Sequence, residues 1–145
     1  MSGEGADLQF VDTNVLVYAH DKSAGQKHTW AKALVEELWH SGTGCLSVQV
    51  LQEFYIAVTR KVRQPLSSEA ALQIVECLSN RRVHAPAAED VLEASKVHQR
   101  YGLSFVCSAS ALGCGVIWSE DLNAGQRYGA MKVVNPFFLL KPMGG

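Results

Sequence analysis

Cysteine is scarce in this sequence, and its few copies are widely scattered. Only four of the 145 residues are cysteine, at positions 45, 77, 107 and 114. No Cys-x-x-Cys pair or nearby His-x-x-x-His spacing accompanies them, so the usual ligand spacing of a structural zinc site is lacking. We therefore expect free thiols in a reducing compartment. A zinc site would require Cys107, Cys114 and two histidines to meet in space.

Long apolar runs are lacking as well. No segment approaches the roughly 20 apolar residues that span a bilayer. Residues 1–7 are glycine-rich and acidic, unlike the basic start of a signal peptide. We expect a cytoplasmic protein with no membrane association. The formal net charge is only −1, so any RNA binding must come from a local basic patch or from bound cations.

The sequence is rich in apolar residues that can form one core. Hydrophobic residues make up 48% of the chain, which predicts a single domain over residues 1–145 with its core at about 8–137. Short apolar strands alternate with amphipathic helices, which predicts an α/β fold around a mostly parallel sheet of four or five strands. The predicted strands are 8–11, 45–47, 82–84, 116–119 and 132–135, and the predicted helices are 27–40, 48–63, 68–78, 87–101 and 104–112.

Two local patterns describe the first long helix. Ser23 and Gln26 have capping-box spacing, which predicts that the helix begins just after them. Trp30, Leu34 and Leu38 repeat at i, i+4 and i+8, as expected for the face that packs on the core.

Acidic residues follow two of the predicted strands. Asp12 follows the first strand, and Asp121 follows the strand at 116–119. The carboxyl ends of parallel strands meet at one edge of a sheet, where ligands bind. Two carboxylates there repel each other unless a divalent cation lies between them, which favours Mg²⁺ or Mn²⁺. The alternative is that each acid simply caps the turn that follows it.

Glu53 has no such signal of its own. On a helix that buries Leu51 and Phe54, Glu53 lies about 200° from Leu51 and therefore away from the core. Considered alone it is a solvated glutamate. Gln49 and Arg60 share its face, which suits solvent or a substrate equally well.

Positively charged side chains are candidates for binding RNA. Arg127, predicted in the loop beyond Asp121, is favoured because it lies close to that acid in the sequence. Arg60 lies near the end of a predicted helix, where it alternatively complements the helix dipole. His20 is a candidate for proton transfer, with an ordinary surface histidine as the alternative. The remaining basic candidates are Lys61, Arg63, Arg81 and Arg82.

With these residues in view, the chain resembles PIN-domain proteins of the VapC toxin type over about residues 8–137. An Asp-Thr-Asn triplet alone is a weak signal, whereas five segments in the family's order are a specific one. The segments are Phe10–Tyr18 (FVDTNVLVY), Leu51–Phe54 (LQEF), Tyr101–Phe105 (YGLSF), Trp118–Gln126 (WSEDLNAGQ) and Val133–Phe137 (VVNPF).

The resemblance implies a three-layer α/β/α sandwich and a Mg²⁺-dependent endoribonuclease that hydrolyses RNA phosphodiester bonds. It implies a homodimer and a small antitoxin whose C-terminal segment occupies the active-site groove. It also implies that Asp12, Glu53 and Asp121 bind the metal, which gives Glu53 a role that the helical pattern does not. Thr13 and Asn14 would shape the metal site through hydrogen bonds.

One departure from the family pattern concerns the acidic set. Family members carry a further Asp shortly after the Ser-Phe pair, where this chain has Val106 and Cys107. Only eight residues separate Phe105 from Cys114, fewer than the family's helix needs. Losing one of four carboxylates misplaces the attacking water, so we expect impaired nuclease activity, with Glu120 as a partial substitute ligand.

Two other classes of function remain open. The first is a degraded PIN module that binds an antitoxin or RNA without cutting it. The second is another phosphate-handling α/β domain, such as a phosphatase or a receiver domain. The triplet from Asp12 to Asn14 lacks the second Asp of haloacid-type phosphatases, and the chain has no glycine-rich phosphate loop.

Overall fold

The structure, a computed structural model, describes residues 8–85, 87–89, 92, 103–120, 125, 127–128 and 131–137. The helices are α1 (Thr13–Ala19), α2 (Gln26–Ser41), α3 (Val48–Arg60), α4 (Ser68–Leu78) and α5 (Leu103–Leu112), with a 3₁₀ turn at Lys22–Ala24. The strands are β1 (Gln9–Val11), β2 (Gly44–Ser47), β3 (Arg82–His84), β4 (Val116–Trp118), β5 (Arg127–Tyr128) and β6 (Met131–Val134).

These strands form one sheet in the order β3-β2-β1-β4-β6-β5. The first five of these strands run parallel to one another, and β5 pairs antiparallel with β6. Phe10 in β1 lies opposite Cys45 on one side and Ile117 on the other. The predicted α/β fold with a mostly parallel sheet is confirmed. The carboxyl ends of β1, β2 and β4 therefore lie at one edge of the sheet.

The short strand β5 was not predicted. Arg127, its first residue, lies opposite Lys132, so the expectation that Arg127 lies in a loop is wrong. Two residues are too few to show the alternation of a strand in the sequence.

The core lies on both faces of β1. Phe10 and Val11 are adjacent and therefore point to opposite faces, yet both are 0% exposed. Cys45 and Leu46 in β2 are likewise both fully buried. A central parallel strand is buried on both faces when structure covers each side of the sheet, as in a layered α/β fold.

Helix α1 was missed by the sequence pattern, and its burial explains why. Val15, Leu16, Val17 and Ala19 are all buried, because α1 packs against both α2 and α3. A short helix that is covered on nearly all sides shows no amphipathic period. Its β-branched residues also lower the local helix propensity.

The start of α2 differs from the predicted capping box. Gly25 occupies the N-cap position with a φ of 65° and provides no side-chain cap. Ser23 lies in the preceding 3₁₀ turn, where its N–H and hydroxyl both donate to the Asp21 carboxylate. Trp30 is 46% exposed, so the predicted core face is also wrong at that position. The buried face of α2 consists of Ala31, Val35 and Leu38.

Two further predicted helices do not match the structure over their full length. One is shorter than predicted, and the structure describes only part of the other. Helix α3 ends at Arg60 rather than Arg63, because the chain turns back and the Val62 N–H donates to the Ala57 carbonyl. Of the predicted helix 87–101, positions 88, 89 and 92 are helical, and most of the others lie outside the described residues. Within the described ranges, no helix combines the length and apolar character needed to cross a membrane.

Candidate active site

Asp12 lies at the carboxyl end of the central strand β1 and directly before α1. Its N–H donates to the Trp118 carbonyl at 3.0 Å, which ties it to β4. Although Asp12 occupies the N-cap position, its side chain makes no capping hydrogen bond to α1. The residue is only 1% exposed. A buried carboxylate that does not cap its helix needs another source of compensation for its lost hydration.

Ser119 provides part of that compensation. Its hydroxyl donates a hydrogen bond to Asp12 Oδ2. Ser119 directly follows β4, is fully buried, and donates its own N–H to the Val134 carbonyl at 3.0 Å. Ser119 belongs to the Trp118–Gln126 segment, but no role for it was predicted from the sequence. The only hint is its position, the first residue after a strand at the edge where Asp12 lies.

Glu53 reaches the same edge from α3. This helix begins immediately after β2, where Ser47 Oγ accepts the Val50 N–H at 3.1 Å. Thr13, the neighbour of Asp12, donates from Oγ1 to Glu53 Oε1 at 2.7 Å. Gln49 donates to the second carboxylate oxygen at 2.9 Å. Glu53 is therefore half-buried with both oxygens hydrogen-bonded, rather than an unattached surface acid.

The structure describes three of the other candidate residues but not Asp121. Asp121 lies outside the described residues, two positions beyond Ser119. Asn14 is half-buried in the first turn of α1. Arg60 at the end of α3 and Arg127 at the start of β5 are both exposed.

The Glu120 carboxylate accepts hydrogen bonds from two side chains. The Tyr18 hydroxyl donates to Glu120 Oε1 at 2.8 Å, and Lys27 forms an ion pair with Oε2. The Lys27 ammonium also lies 5.1 Å from the centre of the Tyr18 ring and 5.5 Å from that of Phe137. The bond to Glu120 raises the pKa of Lys27, although burial opposes the shift. Burial raises the pKa of Tyr18, and its bond to Glu120 adds to the effect.

His20 lies at the opposite end of α1 from Asp12. Seven helical residues intervene, which corresponds to about 10 Å along the helix axis. The ring of His20 packs edge-on against Phe54, with their centroids 5.3 Å apart. Burial lowers the pKa of His20, and the charges of His28 and Lys32 add to the shift. His20 is thus a half-buried packing residue that is neutral near pH 7.

A groove of about 380 Å³ lies between α1 and the end of α3, and Asn14, two residues after Asp12, is part of its lining. Asn14 and Tyr18 of α1 form one side, while Lys61 and Arg63, which follow α3, form another. Two of the basic residues singled out from the sequence therefore line a cavity that starts at Asn14. The groove therefore presents two cationic side chains, together with the carboxylate of Asp21, and the cations suit an anionic ligand.

The cysteines form no metal site within the described residues. Cys45 and Cys114 are both buried, and the Cys45 thiol donates to the Thr43 carbonyl at 3.7 Å. Interaction with Cys114 lowers the pKa of the Cys45 thiol, although burial opposes the shift. Interaction with Cys45, together with burial, raises the pKa of the Cys114 thiol. The side chain of Cys107 lies outside the described residues. Across the described part of the chain, which does not include Asp121, no three His, Cys, Asp or Glu side chains cluster as metal ligands.

Comparison with known proteins agrees with the fold. The family model described as PIN domain matches residues 10–121. Among solved structures, the chain is similar to VapC20 of Mycobacterium tuberculosis, a Sarcin-Ricin loop cleaving toxin. The TM-score is 0.57 at 17% identity, and the match covers 78% of this chain and 89% of that chain. At this identity the likeness shows the fold. No curated protein matches the chain.

Proposed function

The chain belongs to the PIN-domain family, and from that premise we propose that it is a metal-dependent endoribonuclease acting as a VapC-like toxin. The PIN family is one of nucleases, which supports hydrolysis of a phosphodiester bond. The sequence motifs that resemble VapC toxins, together with a structural neighbour of that type, support RNA as the substrate.

The observation that carries the proposal is that Thr13, the neighbour of Asp12, holds the Glu53 carboxylate at the carboxyl edge of the sheet. Asp12 is almost fully buried at the carboxyl edge of the sheet and is held by Ser119. The hydroxyl of Thr13, the residue after Asp12, holds Glu53 through a hydrogen bond of 2.7 Å. Placing one carboxylate in the core and a second one nearby destabilises the fold electrostatically unless a cation is shared between them. Such an arrangement is typical of a metal site.

Mg²⁺ or Mn²⁺ fits the donors that these residues present. Asp12 and Glu53 supply only carboxylate oxygens, and we assign Asp121 as the third acid from its motif. Hard divalent cations favour such oxygen ligands. Bound there, the cation would offset charge on the scissile phosphate and lower the pKa of a water.

The remaining residues position these acids and the RNA. Ser119 and Thr13 fix the orientation of the two carboxylates, which matters because misplacement of a catalytic group lowers the rate steeply. Asn14 shapes the mouth of the groove. We assign Arg60 and Arg127 to RNA phosphates outside the groove, because both side chains are exposed and cationic.

Glu120 is proposed as a secondary ligand that replaces the missing acid only in part. Its carboxylate already accepts bonds from Tyr18 and Lys27. Coordination by Glu120 therefore requires at least one of these bonds to break. With Val106 and Cys107 where the family has an acid, we expect cleavage that is slower than a four-acid site would support.

The proposed partners follow from the same resemblance. We propose a cytoplasmic homodimer that is neutralised by a small antitoxin covering the groove. Large apolar side chains on the helices, which include Trp30 at 46% and Ile56 at 45% exposed, supply surface for protein contacts.

A second function is favoured by the missing acid alone. In this alternative the chain is a degraded PIN module that binds an antitoxin or RNA without cutting it. It differs from the first proposal in a single measurable property, which is metal-dependent turnover.

Cleavage of a panel of structured RNAs tests the proposal. The purified protein is incubated with each RNA in Mg²⁺, Mn²⁺ or EDTA, beside Asp12→Asn and the matched variant Glu36→Gln, which changes an exposed acid of α2. We expect cutting that requires the metal, disappears in Asp12→Asn and persists in Glu36→Gln. Equal cutting by Asp12→Asn contradicts the proposal. The absence of cutting with RNA binding intact selects the degraded module.

A further inference from the structure

A second polar cavity lies at the opposite edge of the sheet from the acids. It has a volume of about 340 Å³ and is bounded by the end of α2, the start of β2 and the start of β3. We call it the amino-edge pocket. Its lining residues are Leu38, Trp39, Gly42, Gly44, Asn80, Arg81 and Arg82. Parallel strands begin here, so the pocket is separated from Asp12 by the length of the strands.

The indole of Trp39 is held in place at this pocket. A β-carbon on Gly44 would lie 2.2 Å from Trp39 Cζ3, so the ring lies directly against the backbone of β2. The Arg81 guanidinium carbon lies 5.2 Å from the centre of the ring, within the range of a cation–π contact. Stacking on a fixed ring orients the planar guanidinium and reduces the entropy that it loses when it binds a ligand.

The two arginines keep donors available for a ligand. Arg82 donates from Nη2 to the Gly42 carbonyl at 3.4 Å, which uses one of its five N–H groups. Within the described residues, the only carboxylate–cation pair found is that of Lys27 and Glu120, so neither arginine has an acidic partner there. Asn80 also lines the pocket, and its side-chain amide donates one hydrogen bond to the Glu76 carbonyl at 3.3 Å. Two guanidinium groups without a carboxylate favour an anion that accepts bidentate hydrogen bonds.

We propose that the amino-edge pocket binds the phosphate group of a nucleotide, either free or within an RNA strand. A planar guanidinium matches the geometry of phosphate oxygens, and an aromatic ring beside arginine is a common platform for nucleotides. The volume lies at the lower end of the range for small-ligand pockets, which suits one nucleotide unit. This site does not depend on the nuclease proposal, since it lies at the other edge of the sheet.

The indole N–H of Trp39 reports binding directly in a two-dimensional NMR spectrum of the full chain. The protein is titrated in EDTA with AMP and, separately, with an eight-nucleotide 2′-O-methyl RNA that resists cleavage. The test variant is Arg81→Gln combined with Arg82→Gln, both at exposed positions. The matched control is Lys32→Gln, an exposed lysine of α2 that does not line the pocket.

We expect a saturable shift of the Trp39 signal, weakened by at least about tenfold in the double variant because charge-assisted hydrogen bonds are lost. For the oligomer, the slope of log affinity against log salt concentration is expected to become shallower by about 0.7, because contact with one phosphate is lost. A comparable response to AMP identifies a free nucleotide as the ligand, and a much tighter oligomer identifies an RNA strand.

Three results separate this inference from its alternatives. No response of Trp39 to either ligand overturns it. Equal affinity in the double variant and in Lys32→Gln also overturns it, and then the arginines serve only the end of α2. Binding that is unchanged in Asp12→Asn supports it, whether or not the protein cleaves RNA.

Discussion

Removal of the Ser119 hydroxyl is the sharpest test of how the Asp12 carboxylate is held. Ser119 is 0% and Asp12 is 1% exposed, so water has little access to replace the lost donor in Ser119→Ala. A hydrogen bond to a charged group contributes about 1.5–3 kcal/mol, because its loss leaves the desolvation penalty of the acceptor in place. We expect the free energy of unfolding in EDTA to fall by about that amount, a factor of roughly 10 to 150 in the equilibrium constant.

Urea denaturation followed by tryptophan fluorescence measures this change. The matched control is Ser108→Ala, because Ser108 is also fully buried and its Oγ lies 3.0 Å from the Nδ1 of His84, an imidazole rather than a carboxylate. Both variants delete a serine hydroxyl oxygen. The control is expected to lower the free energy of unfolding by about 1 kcal/mol. The free energy of unfolding must depend on urea concentration with the same slope in each variant, so that the comparison reports stability alone.

The loss of stability in Ser119→Ala should also depend on whether a metal ion is bound. A cation bound to Asp12 compensates the carboxylate, so the stability difference between wild type and Ser119→Ala should shrink in saturating Mn²⁺. If Ser119→Ala lowers the free energy of unfolding in EDTA by no more than Ser108→Ala does, the claim that Ser119 stabilises the Asp12 carboxylate is refuted.

Two other substitutions test the packing and the electrostatics. Gly44→Ala should lower the free energy of unfolding by about 1–3 kcal/mol, because the new methyl group meets the Trp39 ring, and the urea midpoint measures it. Burial, with the charges of His28 and Lys32, lowers the pKa of His20 beneath its usual 6.5, so protonation favours the unfolded state. The wild type should therefore lose stability as pH falls below about 6.5, and urea midpoints at several pH values should show a smaller acid loss for His20→Gln.

The position of Asp12 was predictable from the sequence because a buried strand ends there. The first acid after a parallel strand lies at the ligand-binding edge whatever the remaining packing. The role of Glu53 was not predictable from its helix, since the helical angle places it away from the core. Its partner Thr13 lies 40 residues earlier, and only the packing of α1 against α3 brings the two together.

Features that depend on contacts distant in sequence were missed for the same reason. Ser119 meets Asp12 across 107 residues, and Tyr18 meets Glu120 across 102. Single serine or tyrosine residues carry no periodic or motif signal that specifies such a partner. The resemblance to PIN domains supplied the prediction that Glu53 binds the metal, because family motifs record three-dimensional neighbours that periodicity does not.

The central claim is that Asp12 and Glu53 share a divalent cation. Titration of the metal-free protein with Mn²⁺, followed by the electron paramagnetic resonance of the free ion, counts bound cations directly. We predict one Mn²⁺ per chain that is displaced by Mg²⁺, with binding weakened by at least about tenfold in Asp12→Asn and unchanged in Glu36→Gln. Failure of the wild type to bind Mn²⁺, or equal binding by Asp12→Asn, would contradict the claim.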